Sequence, residues 1–72
     1  MERDLSVSRQ VSRLLEERNM SAARLAAMSN IPYWRINRAL RGERSFYADE
    51  LPSLARALGV SADKLLELKQ EV

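Results

Sequence analysis

The strongest constraint on this chain is how often residues that end helices interrupt it. Asn19, Asn30, Gly42 and Gly59 tolerate the left-handed backbone conformation found just past helix C-termini, and Pro32 closely follows the second of them. Between these positions apolar residues recur three, four or seven places apart, the spacing that puts side chains on one face of an α-helix. No run alternates apolar and polar residues as a strand does. The sequence therefore predicts an all-α fold made of short helices.

Five helices are predicted, and their limits follow from the capping residues. Ser21 and Ser61 are suitable N-caps for the second and fifth helices, and Asp49 is expected to cap the fourth. With Asp49 as the cap, Pro52 becomes the third helical residue, where its missing N–H has no intrahelical partner. The predicted helices span approximately residues 5–18, 22–28, 32–41, 50–58 and 62–70.

The same spacing predicts which side chains point inward. The predicted core consists of Val7, Val11, Leu14, Leu15, Met20, Met28, Ile36, Ala39, Leu40, Leu51, Leu54, Ala55, Leu58 and Leu65. In the fifth helix Leu65 and Leu68 share a face, whereas Leu66 lies about 100° around the helix from Leu65. Some apolar surface is left over, so we expect weak homodimerisation through Leu66 and the tail to Val72.

Length and residue types exclude several classes of protein. At 72 residues the chain is expected to form one domain spanning residues 1–72, which leaves little room for a deep catalytic cleft. The chain has no Cys and no His, so it lacks thiolate chemistry, the commonest general base and the commonest metal ligand. We therefore expect no enzymatic activity, no cofactor and no metal. No apolar run approaches the roughly 18 residues of a membrane span, so the protein is expected to be soluble and cytoplasmic.

Positive charge is concentrated in the middle of the chain. Between residues 18 and 44 there are six arginines and a single acidic residue, Glu43, whereas residues 45–72 carry more acidic than basic residues. Such a segment attracts polyanions, and Arg in preference to Lys suits bidentate recognition of phosphates or guanine edges. A solvated helix face is the alternative interpretation of this charge.

The segment that carries this charge also shows the helix-turn-helix arrangement, predicted here for about residues 21–41. Within it, Leu25 and Ala26, the Asn-Ile pair at the turn and Ile36 form a recognisable pattern, and an ALGVS run follows at residues 57–61. The stretches 21–42 (SAARLAAMSNIPYWRINRALRG) and 54–66 (LARALGVSADKLL) resemble the phage repressor and Cro-like (XRE) DNA-binding family, over about residues 7–66. The resemblance implies a five-helix domain that binds double-stranded DNA, usually as a dimer on two half-sites.

The resemblance also implies where the DNA contacts lie. The base-facing positions of the third helix are occupied by Tyr33, Trp34, Asn37 and Arg38. Phosphate contacts are expected at the helix end and in the following loop, from Arg41, Arg44 and Ser45. Arg35 is interpreted separately, as a phosphate contact or a solvent-exposed charge rather than a base reader.

Among these residues, Asn37 and Arg38 have the side chains best suited to direct base reading. Asn pairs bidentately with adenine and Arg with guanine. Tyr33 could instead pack at the edge of the core, and Trp34 could serve a dimer contact.

Together these observations predict a sequence-specific transcriptional regulator, a repressor of phage or bacterial type that reads the major groove with its third helix and acts at the nucleoid. One alternative has the same fold but is an antitoxin or prophage accessory protein, whose C-terminal segment 64–72 (KLLELKQEV) docks a protein partner. The other alternative is a protein-interaction bundle without a DNA role, which would show no steep salt dependence of duplex binding.

Overall fold

The computed structural model describes residues 5–66, and within that range every regular element is helical. The elements are α1 (Ser6–Arg18), α2 (Ala22–Ser29), α3 (Tyr33–Leu40), α4 (Leu51–Leu58) and α5 (Ala62–Leu65), with a 3₁₀ turn at Ala48–Glu50 immediately before α4. The predicted all-α fold is confirmed. The remainder of the predicted fifth helix, with Leu68 and the tail to Val72, lies outside the described residues.

The helix ends follow the local signals in the sequence. Asn19 and Asn30 both adopt positive φ angles, 55° and 64°, and Gly42 and Gly59 do the same at 80° and 72°. Ser21 Oγ accepts a hydrogen bond from the backbone N–H of Arg24 at 3.1 Å, as expected of an N-cap. Short-range chemistry therefore determines where most of these helices begin and end.

We expect Ser21→Ala to lower the free energy of unfolding by about 1 kcal/mol, because the N–H of Arg24 then loses its acceptor at the start of α2. Urea denaturation of the variant and the parent measures this change. Ser12→Ala is the matched control, since Ser12 is exposed within α1, where alanine is a better helix former. Equal stabilities for the two variants would contradict a capping role for Ser21.

The start of the fourth helix differs from the prediction. Asp49 is exposed and lies inside the 3₁₀ turn, α4 begins at Leu51, and Pro52 is its second residue. The reason is that the buried carboxylate of Glu50 accepts the backbone N–H of Tyr47 at 2.8 Å, so the turn starts before Asp49. The proline still removes no intrahelical hydrogen bond at this position.

Within residues 5–66, one hydrophobic core lies between the helices. Its buried apolar residues are Val7, Val11, Leu14, Leu15, Leu25, Ile31, Ile36, Ala39, Phe46, Leu54, Ala55, Ala57, Leu58 and Leu65. Around it α2 packs against α3 and α4, while α1 packs against α3 and α5. Met20, Leu40, Leu51 and Leu66 are partly buried at its edge, so Leu66 is less available for a second copy than its sequence position suggests.

Met28 does not lie in the core, contrary to the prediction. Its side chain is exposed, because the buried face of α2 is formed by Leu25 and Ser29, with Ala22 and Ala26 partly buried beside them. At 100° per residue, Met28 lies roughly 100° away from the centre of that face. Met28 is therefore part of the outer surface of the α2–α3 unit.

One buried polar residue joins the two ends of the described chain. Gln10 is almost fully buried in α1, and its Nε2 donates a hydrogen bond to the carbonyl of Lys64 at 3.0 Å. This bond helps to hold α5 against α1. No helix within residues 5–66 has the length and apolar character needed to cross a membrane.

Candidate nucleic-acid interface

The turn between α2 and α3 is fixed by buried groups at its centre. Asn30 takes the left-handed conformation, and Ile31 is buried in the core. The N–H of Ile31 donates to Ser29 Oγ at 3.3 Å, so this buried donor has a partner. Behind α3, the buried residues Ile36 and Ala39 fix which side of the helix faces outward.

The outer side of α3 brings the four predicted base-contacting residues into one strip. Tyr33 and Trp34 are 51% and 55% exposed, the side chain of Arg38 is 52% exposed, and Asn37 is half-buried between them. Positions 33, 34, 37 and 38 are neighbours on a helix surface, because residues four apart lie one above the other. Tyr33 is absent from the core cluster, so the interpretation of Tyr33 as a core-edge residue is wrong.

The first acidic partner of this surface is Glu43, in the loop after α3. Its carboxylate lies 3.4 Å from Arg38 Nε and 2.9 Å from Arg41 Nη2. All three side chains are at least 44% exposed, so these ion pairs face solvent on the same side as the α3 strip. Sequence reasoning counted Glu43 only as a charge and did not place it between the two arginines.

The second acidic partner is Glu50, whose side chain is only 6% exposed. Its Oε2 lies 3.3 Å from Arg35 Nη1 and 3.1 Å from Arg44 Nη2, and its Oε1 also accepts from Arg44 Nη2 at 3.2 Å. A buried carboxylate is stable only when paired and hydrogen-bonded, and Glu50 has two cations and one backbone N–H for that purpose. This cluster of Arg35, Arg44 and Glu50 ties α3, the following loop and the 3₁₀ turn before α4 together.

Within this cluster, Arg44 is more deeply buried than a phosphate contact would suggest. Its side chain is 15% exposed, its Nε donates to the carbonyl of Arg35 at 3.2 Å and its Nη1 donates to the carbonyl of Ser45 at 2.7 Å. With the bonds to Glu50, most of its donors are used within the protein. A phosphate contact through Arg44 stays a prediction, whereas its structural role is plain from these bonds.

Sequence reasoning also missed Glu50 and Tyr47. Tyr47 is 56% exposed, and its ring lies 5.9 Å from the guanidinium carbon of Arg35 and 4.9 Å from that of Arg44. Arg35 is in addition 5.7 Å from the ring of Trp34, which makes a row of alternating aromatic and guanidinium groups. One local signal pointed to this pair. Glu50 follows Tyr47 by three residues, which is the spacing between an N-cap residue and the acidic N3 residue of a capping box.

Comparison with known proteins gives a match to the helix-turn-helix family over residues 11–65. Among curated proteins no significant match was found. The structure is similar to the crystal structure of the restriction-modification controller protein C.AhdI from Aeromonas hydrophila, at 21% identity, with a TM-score of 0.77 and 85% of this chain and 92% of that chain covered. It is also similar to the crystal structure of a point mutant of the restriction-modification controller protein C.Esp1396I, at 27% identity, with a TM-score of 0.83 and 94% of this chain and 89% of that chain covered.

Proposed function

Because this chain belongs to the helix-turn-helix family of DNA-binding regulators, of the phage repressor and Cro-like type, we propose that it represses transcription by placing α3 in the major groove of a specific site. The observation that carries this proposal is the exposed strip of Tyr33, Trp34, Asn37 and Arg38 on a helix whose other side is held in the core by Ile36 and Ala39. A major groove about 12 Å wide admits such a helix.

Each predicted contact residue has a specific part in this proposal. Arg38 donates bidentately to a guanine edge, and Asn37 pairs with adenine, so these two read the sequence. Tyr33 and Trp34 contact base edges, with the Trp34 ring suited to a thymine methyl group or a sugar. Arg35, Arg41, Arg44 and Ser45 contact phosphates, which fix the register of the helix but carry no sequence information.

The protein acts as a dimer on two half-sites in this proposal. A single recognition helix reads only about four base pairs, which is too little to mark one site among many. A regulatory role is supported by the similarity to C.Esp1396I, which is named as a restriction-modification controller protein, and the proposed DNA partner would place the protein at the nucleoid. We place the dimer contact at the part of Leu66 that stays exposed at the edge of the core and at the tail to Val72.

The test is a selection of bound sequences from a random duplex pool. We expect the enriched sequences to contain two inverted half-sites about 10 base pairs apart, since that is one turn of B-DNA. We also expect binding to duplexes outside this consensus to weaken steeply as salt is raised, because phosphate contacts release counterions. If no sequence is enriched in the selected pool and the affinity for duplex DNA does not change with salt concentration, the protein is instead a protein-interaction bundle.

A further inference from the structure

The position of Glu43 after α3 is set by a backbone hydrogen bond as well as by its ion pairs. Gly42 adopts a φ of 80°, and the N–H of Glu43 then donates to the carbonyl of Arg38 at 2.9 Å. This hydrogen bond runs back over the last turn of α3, as in the common glycine-ended helix C-terminus. The backbone therefore holds residue 43 against the last turn of α3, within reach of Arg38 and Arg41.

The ion pairs themselves contribute little to folding, because exposed pairs are weakened by water and salt. Their location is more informative. Glu43 is the single acidic residue between positions 18 and 44, and it bridges the proposed guanine reader Arg38 and the proposed phosphate contact Arg41. A carboxylate on a surface meant to meet phosphates weakens nonspecific attraction, which depends on free cations.

We propose that Glu43 is a specificity-determining residue that neutralises Arg38 and Arg41 until the correct base sequence is met. This inference rests on the proposed DNA-binding function. At a nonspecific site Arg38 remains paired with Glu43, because a phosphate offers it only the exchange of one anion for another. At the specific site Arg38 gains the two acceptors of a guanine edge in addition to the phosphate contacts of the neighbouring residues, and this added gain offsets the loss of its pair with Glu43.

Removing the carboxylate charge should therefore raise the affinity for nonspecific sites more than the affinity for the specific site. For E43Q we expect affinity for a scrambled duplex to rise by about fivefold to tenfold, since roughly one more cation becomes free for phosphates. Affinity for the selected site should rise by about twofold or less, so discrimination falls. The slope of log affinity against log salt on the scrambled duplex should steepen by about one.

The matched control is E17Q. Glu17 is an exposed carboxylate on α1 that lies 4.0 Å from both Arg13 and Arg18, so its substitution makes the same charge change between two arginines away from the α3 strip. We expect E17Q to change the affinity for both duplexes equally and slightly. Introducing E43Q into an Arg38→Ala protein tests whether Glu43 acts through Arg38. We expect E43Q to reduce the discrimination between the two duplexes much less in that protein than in the parent.

The outcomes separate this inference from the proposed function. Thermal melts first establish that each variant is folded. If the parent protein shows no preference for any duplex, the proposed function fails. If the parent discriminates but E43Q raises both affinities equally, matches E17Q, or has its full effect in the Arg38→Ala background, then Glu43 does not determine specificity and only this inference is overturned.

Discussion

Glu50→Ala is expected to lower the free energy of unfolding by about 3 kcal/mol, the largest effect we expect of any polar substitution in this protein. Breaking a buried ion pair by removing one partner costs about 3–5 kcal/mol, because the other charge is left buried without compensation. Arg44 is 15% exposed and would be left in that state, whereas Arg35 is 38% exposed and can turn towards water, so the lower end of the range applies. Small domains have only about 5–15 kcal/mol of stability in total, so the loss is severe.

Two further variants separate the causes of this loss. Glu50→Gln keeps an acceptor for the N–H of Tyr47 but removes the charge, so we expect an intermediate loss of stability. Asp49→Ala changes an exposed neighbour that makes no ion pair within residues 5–66, and we expect it to change stability by about 0.5 kcal/mol or less. Urea denaturation followed by circular dichroism gives all three values. A Glu50→Ala protein as stable as Asp49→Ala would show that the cluster does not hold the fold together.

Arg38→Ala is expected to reduce strongly the discrimination between the selected site and a scrambled duplex. Losing a bidentate contact costs about 1–3 kcal/mol at the base pair concerned, which corresponds to roughly 5-fold to 150-fold in the affinity ratio. The fold should be unaffected, because the Arg38 side chain is half exposed and its ion-pair partner Glu43 is exposed as well. Mobility-shift titrations of both duplexes, with helicity measured in parallel, provide the comparison.

The control for Arg38 is Arg56→Ala. Arg56 is exposed on α4 and makes no ion pair within the described part of the chain, so its removal changes net charge by the same amount away from the α3 strip. We expect Arg56→Ala to lower the affinity for both duplexes alike and to leave the ratio of the two affinities unchanged. If Arg38→Ala also preserves the ratio, another residue reads the sequence.

Within residues 5–66, the sequence alone was sufficient for the number of α-helices and most of their limits. Ser21, Asn19, Asn30 and Gly59 act within one turn of their own positions, so their effect on the backbone is readable without knowledge of the fold. The same holds for the side of α3 that faces outward, because the apolar positions 36 and 39 can only be buried together. These local rules, and the resemblance they revealed, led to a DNA-binding helix-turn-helix.

Tertiary structure decided the roles of the charged residues. Glu43 and Glu50 are the same residue type seven positions apart, yet Glu43 is exposed between Arg38 and Arg41 while Glu50 is buried against Arg44. No periodicity distinguishes them, since Glu50 is paired only because Arg35 of α3 and Arg44 of the loop reach the 3₁₀ turn. For the same reason the start of α4 was misplaced. Long-range contacts determine which charges are desolvated, and desolvation determines whether a charge serves folding or is left free for a partner.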